Sequence, residues 1–293
     1  MFRYSSFVPL LAVLGAVTFL GFGTAWAKSS LFPVIGAQGT TAVRVGFSAL
    51  VLLLFWRPWR WQLTGSDARA IALYGAALGA MNLCFYLSLR TIPFGVAVAI
   101  EFAGPLTVAL LASRRPLDFV WVVLAISGLG LLLPLGQNFS TLDPVGVMFA
   151  LAAAFFWGTY IVFGKAASHL HAGHSVSLGL GVAALIVVPV GVAHAGSALL
   201  SPWVLVVGLC VALISSAIPI SLEMVALKRL PPQAFGIMLS MEPAVAAMLG
   251  LILLDEYLSS MQWLAVTLIV AASLGSSLVV QRRIRPSERV LSG

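Results

Sequence analysis

Residues 166–222 of this 293-residue chain contain no Asp, Glu, Lys or Arg. A single helix through all of them, at about 1.5 Å per residue, would be roughly 85 Å long, far more than the hydrocarbon layer of a bilayer. The stretch must therefore fold into two crossings, and the break is expected near His194–Pro202, where Gly196, Ser201 and Pro202 cluster. Residues 4–27, 119–142, 144–164 and 257–281 also lack those charges, and each run is near the ~20 residues that span a membrane. With 61% hydrophobic and 9% charged residues, a water-soluble globule would expose more apolar surface than it could tolerate.

Ten segments read as crossings: 7–27, 39–56, 69–90, 94–113, 117–135, 144–164, 174–193, 203–227, 232–254 and 259–280. They are too long and too rich in Ala, Leu and Gly for the alternating pattern of a membrane barrel, so the expected fold class is all-α integral membrane, with ten transmembrane helices. The chain also resembles itself. Lys28 recurs 137 positions later as Lys165, and Pro93 and Pro105 recur 138 positions later as Pro231 and Pro243. This offset divides the chain into residues 1–138, with helices one to five, and 139–281, with helices six to ten, followed by a basic tail, 282–293. An odd number of crossings in each copy makes the second copy enter from the opposite face. Two inverted five-helix repeats are therefore expected, an arrangement found in secondary transporters.

A net charge of +7 would point to nucleic acid in a soluble protein, but here the location of the charges decides. An amino terminus in the cytoplasm puts 13 of the 16 Lys and Arg residues inside: Arg3, Arg57, Arg60, Arg69, Arg114, Arg115, Lys165, Lys228, Arg229, Arg282, Arg283, Arg285 and Arg289. Lys28 and Arg90 fall outside and Arg44 lies within a span. This asymmetry predicts cytoplasmic termini, with the lipid bilayer as partner and no nucleic acid. The loop after the fourth crossing reads Arg114-Arg115 on the inside. Its counterpart after the ninth reads Asp255-Glu256 on the outside, within an insertion of about six residues.

Several motifs carry no chemistry. Arg3 and the run ending in Ala25-Trp26-Ala27 imitate a signal peptide, but Phe19, Gly21 and Lys28 align with Phe156, Gly158 and Lys165, so cleavage would remove the first helix of one repeat. Gly158 to Lys165 fails as a phosphate-binding loop, because its glycine spacing is wrong and Ala166 stands where Ser or Thr is needed. His169, His171 and His174 have a spacing that fits a metal, yet no Cys or carboxylate nearby completes the ligand set. They read as a solvated loop. Cys84 and Cys210 fall in separate helices, which argues against a disulfide. With no nucleophile and base at one depth, neither enzyme chemistry nor a cofactor is expected.

The polar residues within the spans are the functional candidates, since a charge at the centre of a membrane helix costs about 2.5–3.5 kcal/mol on insertion scales. Glu101 stands four residues before Pro105, which has no amide hydrogen, so the Glu101 carbonyl loses its helical partner beside its own carboxylate. Gly104 adds room for close approach. In the second repeat Glu242 precedes Pro243, about one helical turn displaced from Glu101. Pro219 likewise frees the Ser215 carbonyl, for which the Ser215 and Ser216 hydroxyls are at hand. Gly104, Pro105, Pro219 and Pro243 are the expected bends. Glu223 falls near the cytoplasmic end, and Arg44 breaks the repeat because Gly181 holds the equivalent place. Asn82 and Tyr86 share a helix face at i, i+4, as Trp157 and Tyr160 do at i, i+3. Gly75-Ala76-Ala77-Leu78-Gly79 is a helix-contact pattern, within the bundle or between protomers.

In Ala99-Ile100-Glu101-Phe102-Ala103-Gly104-Pro105, Ser113–Trp121, Ile218-Pro219-Ile220-Ser221-Leu222-Glu223-Met224 and Met241-Glu242-Pro243-Ala244, the chain resembles the drug/metabolite transporter superfamily, in its ten-helix (EamA-type) amino-acid exporter branch. The likeness covers nearly the whole chain. It implies a central cavity, alternating access, and efflux of small amino acids of the threonine and homoserine kind, other neutral or aromatic ones included, across a bacterial inner membrane. Read from their own chemistry, Arg44, Asn82, Tyr86, Glu101, Trp157, Tyr160, Glu223 and Glu242 are the expected substrate-binding or coupling residues, with protons one candidate for the coupling ion, which the sequence leaves open. A broader drug or metabolite exporter, an integral membrane enzyme and a structural subunit are the alternatives. Oligomeric state is not legible.

Overall fold

The computed structural model describes residues 7–61, 63–111, 118–132, 142–166, 170–219, 222 and 241–272. Its helices are α1 Phe7–Ser30, α2 Phe32–Trp56, α3 Gly65–Ser88, α4 Phe94–Glu101, α5 Ala103–Leu111, α6 Asp118–Leu132, α7 Pro144–Ala166, α8 Ala172–Ala195, α9 Pro202–Ala212 and α10 Glu242–Leu254, then α11 Ser260–Ala272. Five of them, α1, α2, α3, α7 and α8, are long and apolar enough to cross a membrane. Glu223, the Arg114-Arg115 pair and the basic tail lie outside the described residues.

Helices dominate because hydrocarbon offers backbone groups no partner outside their own segment. Where helices end, side chains complete the pairing. Ser29 and Ser30 hydroxyls donate to the Trp26 carbonyl at 3.0 and 2.5 Å, Thr64 and Asp67 form a reciprocal cap on α3, and Ser259 with Gln262 does the same on α11. The long uncharged stretch divides as expected. α8 stops at Gly196 in the left-handed region (φ 54°), a 3-10 turn covers Gly196–Leu200, and Ser201 opens α9 by accepting from the Val204 amide.

Two expectations are corrected. α2 begins at Phe32, seven residues before the expected 39, because Leu31 alone separates it from α1. Pro33 fits the first turn, where its missing amide hydrogen loses no bond. Gly36 then bends the helix with φ 65°, and the Thr40 hydroxyl donates to its carbonyl at 2.7 Å. Of the described histidines, His171 is exposed and precedes α8, as a solvated loop requires, whereas His174 departs from that reading. His174 sits in the first turn of α8; its ring centroid lies 4.9 Å from Trp61 and 4.8 Å from His171, which is 5.2 Å from Trp56. His169 lies outside the described residues, among which no cluster of metal-ligating side chains forms.

α2 packs chiefly on α8, and α3 on α7 and α8. Small residues allow this approach: a Cβ on Gly75 would lie 2.5 Å from the Gly179 carbonyl oxygen, and one on Gly79 would lie 3.1 Å from the Ala183 Cα. The GxxxG pattern on α3 is thus engaged within the bundle. One apolar cluster joins α4 (Val96, Ala97, Ile100) to α7 (Ala150, Ala153), α10 (Ala246) and α11 (Ile269). Lys28, at the end of α1, touches Ile92, and Thr91 beside it meets the Asp143 carboxylate before α7. α7 therefore starts where α1 finishes, and the two run in opposite directions.

Candidate functional site

The deepest polar cluster is organised by Arg44. Its side chain is buried in the middle of α2, with 8% of its surface exposed, so it does not snorkel to the boundary. Nη1 donates to Asn82 Oδ1 of α3 at 2.5 Å, Nε to Ser215 Oγ at 2.8 Å, and Nη2 to the Ser215 carbonyl at 3.2 Å. The guanidinium carbon stands 5.5 Å from the centre of the Tyr86 ring, a cation–π distance. Asn82 is itself oriented by donating Nδ2 to the Leu78 carbonyl at 2.9 Å, and Ser48 donates to the Arg44 carbonyl at 2.7 Å.

Ser215 is presented by a local distortion. Leu213–Ala217 form a π turn after α9, with the Ile218 amide donating to the Leu213 carbonyl. Two residues on, Pro219 offers no hydrogen to the Ser215 carbonyl. The Ser215 hydroxyl donates to Val211 at 2.7 Å, so Arg44, not a neighbouring hydroxyl, takes the freed carbonyl. Gly23 of α1 makes room for this turn, since a Cβ there would sit 2.7 Å from the Ser215 Cβ.

The partners of Arg44 are neutral. Among the described residues no carboxylate lies within ion-pair distance of it; the one ion pair found joins Lys28 to Glu256. Nη1 and Nη2 each carry a second N–H beyond the one used, and a guanidinium N–H is a strong donor to a carboxylate. Glu101 closes α4 with 6% of its surface exposed, within the electrostatic reach of Arg44 and Glu242, attractive from the first and repulsive from the second. The Tyr86 hydroxyl is fully buried and has no hydrogen-bond partner among the described residues. A buried cation with spare donors, an acid nearby and an unsatisfied hydroxyl together suit a small zwitterion.

The other predicted residues make contacts of their own, apart from the hydrogen bonds of Arg44. The helix breaks at Phe102, one residue after Glu101, and Gly104 and Pro105 stand in the first turn of α5. Gly104 packs on the Ala154 backbone of α7. Trp157, one turn further along α7, meets Phe102 edge-on at 5.5 Å. Tyr160 stacks on Tyr74 at 4.8 Å with the two hydroxyls 3.3 Å apart. Glu242 and Pro243 open α10, Pro243 falling in its first turn. The sequence alone gives Ser215 only the part of compensating for Pro219. The clue to its role was that an uncapped carbonyl in hydrocarbon needs a donor from elsewhere.

Comparison with known proteins gives the family of the chain. The EamA-like transporter family profile matches residues 144–278. The threonine/homoserine exporter RhtA of Escherichia coli K12 is 48% identical over 281 residues, covering 96% of this chain and 95% of that protein. The threonine/homoserine exporter RhtA of Salmonella typhimurium SL1344 is 48% identical over 275 residues, covering 94% and 93%. A solved crystal structure 18% identical in sequence superposes with a TM-score of 0.57 over 95% of this chain and 98% of that one, a likeness of fold alone. Identity at that level along nearly the whole length leaves one assignment: the chain belongs to the EamA-like transporter family.

Proposed function

We propose that this protein is a secondary transporter that exports small amino acids of the threonine and homoserine class from the cytoplasm across a bacterial inner membrane. The observation that carries the reading is Arg44. A guanidinium held in the membrane interior by neutral acceptors, with a spare N–H on each terminal nitrogen, is a receptor for a carboxylate. Glu101 and Glu242 are the counterparts for the substrate ammonium group or for an exchanged proton. The names of the relatives, which are threonine/homoserine exporters, support this substrate class.

Alternating access follows from two inverted five-helix repeats that rock about the site. The opposite course of α1 and α7 supports that inversion, and the positive-inside distribution of Lys and Arg supports cytoplasmic termini. Glu101 and Glu242, the acids proposed alongside Arg44, speak against nucleotide-linked metabolites as cargo, because carboxylates repel phosphates.

The test is counterflow in proteoliposomes loaded with unlabelled threonine. Accumulation of radiolabelled threonine, chemically unchanged, is expected, with homoserine competing. No accumulation of any amino acid in a panel would overturn the reading. Proton coupling is tested separately: uptake into inside-out vesicles should fall when the pH gradient is collapsed, and unchanged uptake would exclude it. Glu242→Gln should lower transport at normal membrane abundance.

A further inference from the structure

Glu256 lies in the turn between α10 and α11, far from Arg44 in the sequence, and nothing in the transport reading uses it. Its carboxylate nevertheless ties together three separate elements. Oε1 pairs with the Lys28 ammonium at 2.5 Å, at the end of α1. Oε2 accepts from the Phe94 amide at 2.5 Å, the start of α4, where a negative charge also meets the positive end of the helix dipole. Lys28 in turn reaches the Ile92 carbonyl at 3.5 Å. The two bonds to Glu256 bridge 228 and 162 residues of chain, so both join the second half of the molecule to the first.

The turn is built to deliver this side chain. Asp255 adopts the left-handed conformation, φ 53°, and the Glu256 amide closes back on the Gly250 carbonyl at 3.1 Å. Gly250 gives it room, because a Cβ there would lie 3.0 Å from Glu256 Oε2. In sequence, the repeat does not offer the same pair of charges at the other end. Lys28 corresponds to Lys165 at the repeat offset, and the acidic Asp255-Glu256 corresponds to Arg114-Arg115. There the sequence sets base against base. Among the described residues the one such fastener is Lys28 with Glu256.

We propose that Lys28, Glu256 and the Phe94 amide form a latch that holds the outer mouth shut, so that the resting carrier faces the cytoplasm, and that the latch separates in each export cycle. Glu256 and Lys28 are positioning residues that set the balance between the two faces and do not touch cargo. The proposal rests on the transporter reading for which mouth is the outer one. An exporter gains from this asymmetry, since the empty site then waits on the side where substrate is loaded.

Spin labels at Ser29→Cys and Tyr257→Cys, in a Cys84→Ser, Cys210→Ser background, report on the two sides of the latch. Strong dipolar broadening is expected in the otherwise unaltered protein. Glu256→Gln keeps a carbonyl for the Phe94 amide and removes only the ion pair. It should raise the ratio of open to closed species about tenfold, the order expected for losing a hydrogen bond between charged groups. Lys28→Met should do the same from the other partner. Broadening unchanged in both variants, with thermal unfolding confirming that they are folded, would overturn the latch. That result is distinguishable from failure of the transporter reading, in which the unmutated protein shows no threonine counterflow at all.

Discussion

Replacing Arg44 by Lys keeps the buried charge and removes the fork. The native guanidinium makes three bonds, to Asn82 Oδ1, Ser215 Oγ and the Ser215 carbonyl, and still presents one N–H on each terminal nitrogen. A lysine ammonium has three donors on a single atom. If two remain with Asn82 and Ser215, one is left for cargo where the arginine offers two. The substrate carboxylate thus loses one charge-assisted bond, worth about 1.5–3 kcal/mol, which corresponds to roughly a tenfold to hundredfold rise in KM at about 1.4 kcal/mol per decade. Counterflow of radiolabelled threonine over a concentration series, with transporter amount measured in the same liposomes, reads this directly. An Arg44→Lys protein with KM within twofold of the original would refute the assignment of Arg44 to the carboxylate.

Three further perturbations probe the supporting structure. Pro219→Ala restores an amide hydrogen opposite the Ser215 carbonyl and sets it in competition with Arg44 Nη2; KM for threonine should rise, whereas an unchanged value would mean that the freed carbonyl is irrelevant to the site. Gly104→Ala forces a Cβ into the Ala154 backbone, while a Cβ at Gly181 finds only the Leu53 methyl groups at 3.6 and 3.9 Å. The first should lower the unfolding temperature in detergent, by about 1–3 kcal/mol of overpacking, and Gly181→Ala should leave it in place; equal shifts would contradict the packing described. Asp143, at the start of α7, has its carboxyl held below the usual carboxylate range by the Thr91 hydroxyl and then by the Gly146 amide. Its stabilising contribution is therefore complete above the ordinary carboxylate pKa, about 3.9, and is lost as pH falls through the lower folded value. Unfolding temperatures measured from pH 5 down to pH 2.5 should show an acid-induced drop that Asp143→Ala lacks.

Much of the helical layout was legible because hydrocarbon enforces it. Uncharged runs mark the crossings, and the break at Gly196–Ser201 follows from residues that can end one helix and cap the next. The discontinuity at Phe102 was foreshadowed by Pro105, whose missing hydrogen acts one turn back. The early start of α2 was hidden, because Pro33, Gly36 and Gly39 resemble a connecting loop until the one-residue corner at Leu31 is seen. The candidate site was legible residue by residue but not as a constellation. Arg44 attracted notice as a buried charge, Asn82 and Tyr86 as a shared face, Pro219 as a source of an unpaired carbonyl. That one guanidinium joins them depends on contacts across 38 and 171 residues, and no local pattern encodes those. His174 departs from a solvated loop for the same reason, since its packing against Trp61 is a tertiary fact. Glu256 was noticed as a reversal of charge, while its partners at Lys28 and Phe94 emerge only in the folded chain.

The central claim is that the buried Arg44 and Glu101 read the two charges of an amino acid. Calorimetric titration of the purified protein with threonine, with 1-aminopropan-2-ol, which lacks the carboxylate, and with 3-hydroxybutyrate, which lacks the amino group, tests it most directly. Threonine should bind saturably and displace homoserine, and each truncated analogue should bind at least about tenfold more weakly, as expected when a buried charged partner is left unpaired. Equal affinity for threonine and either analogue would contradict the account.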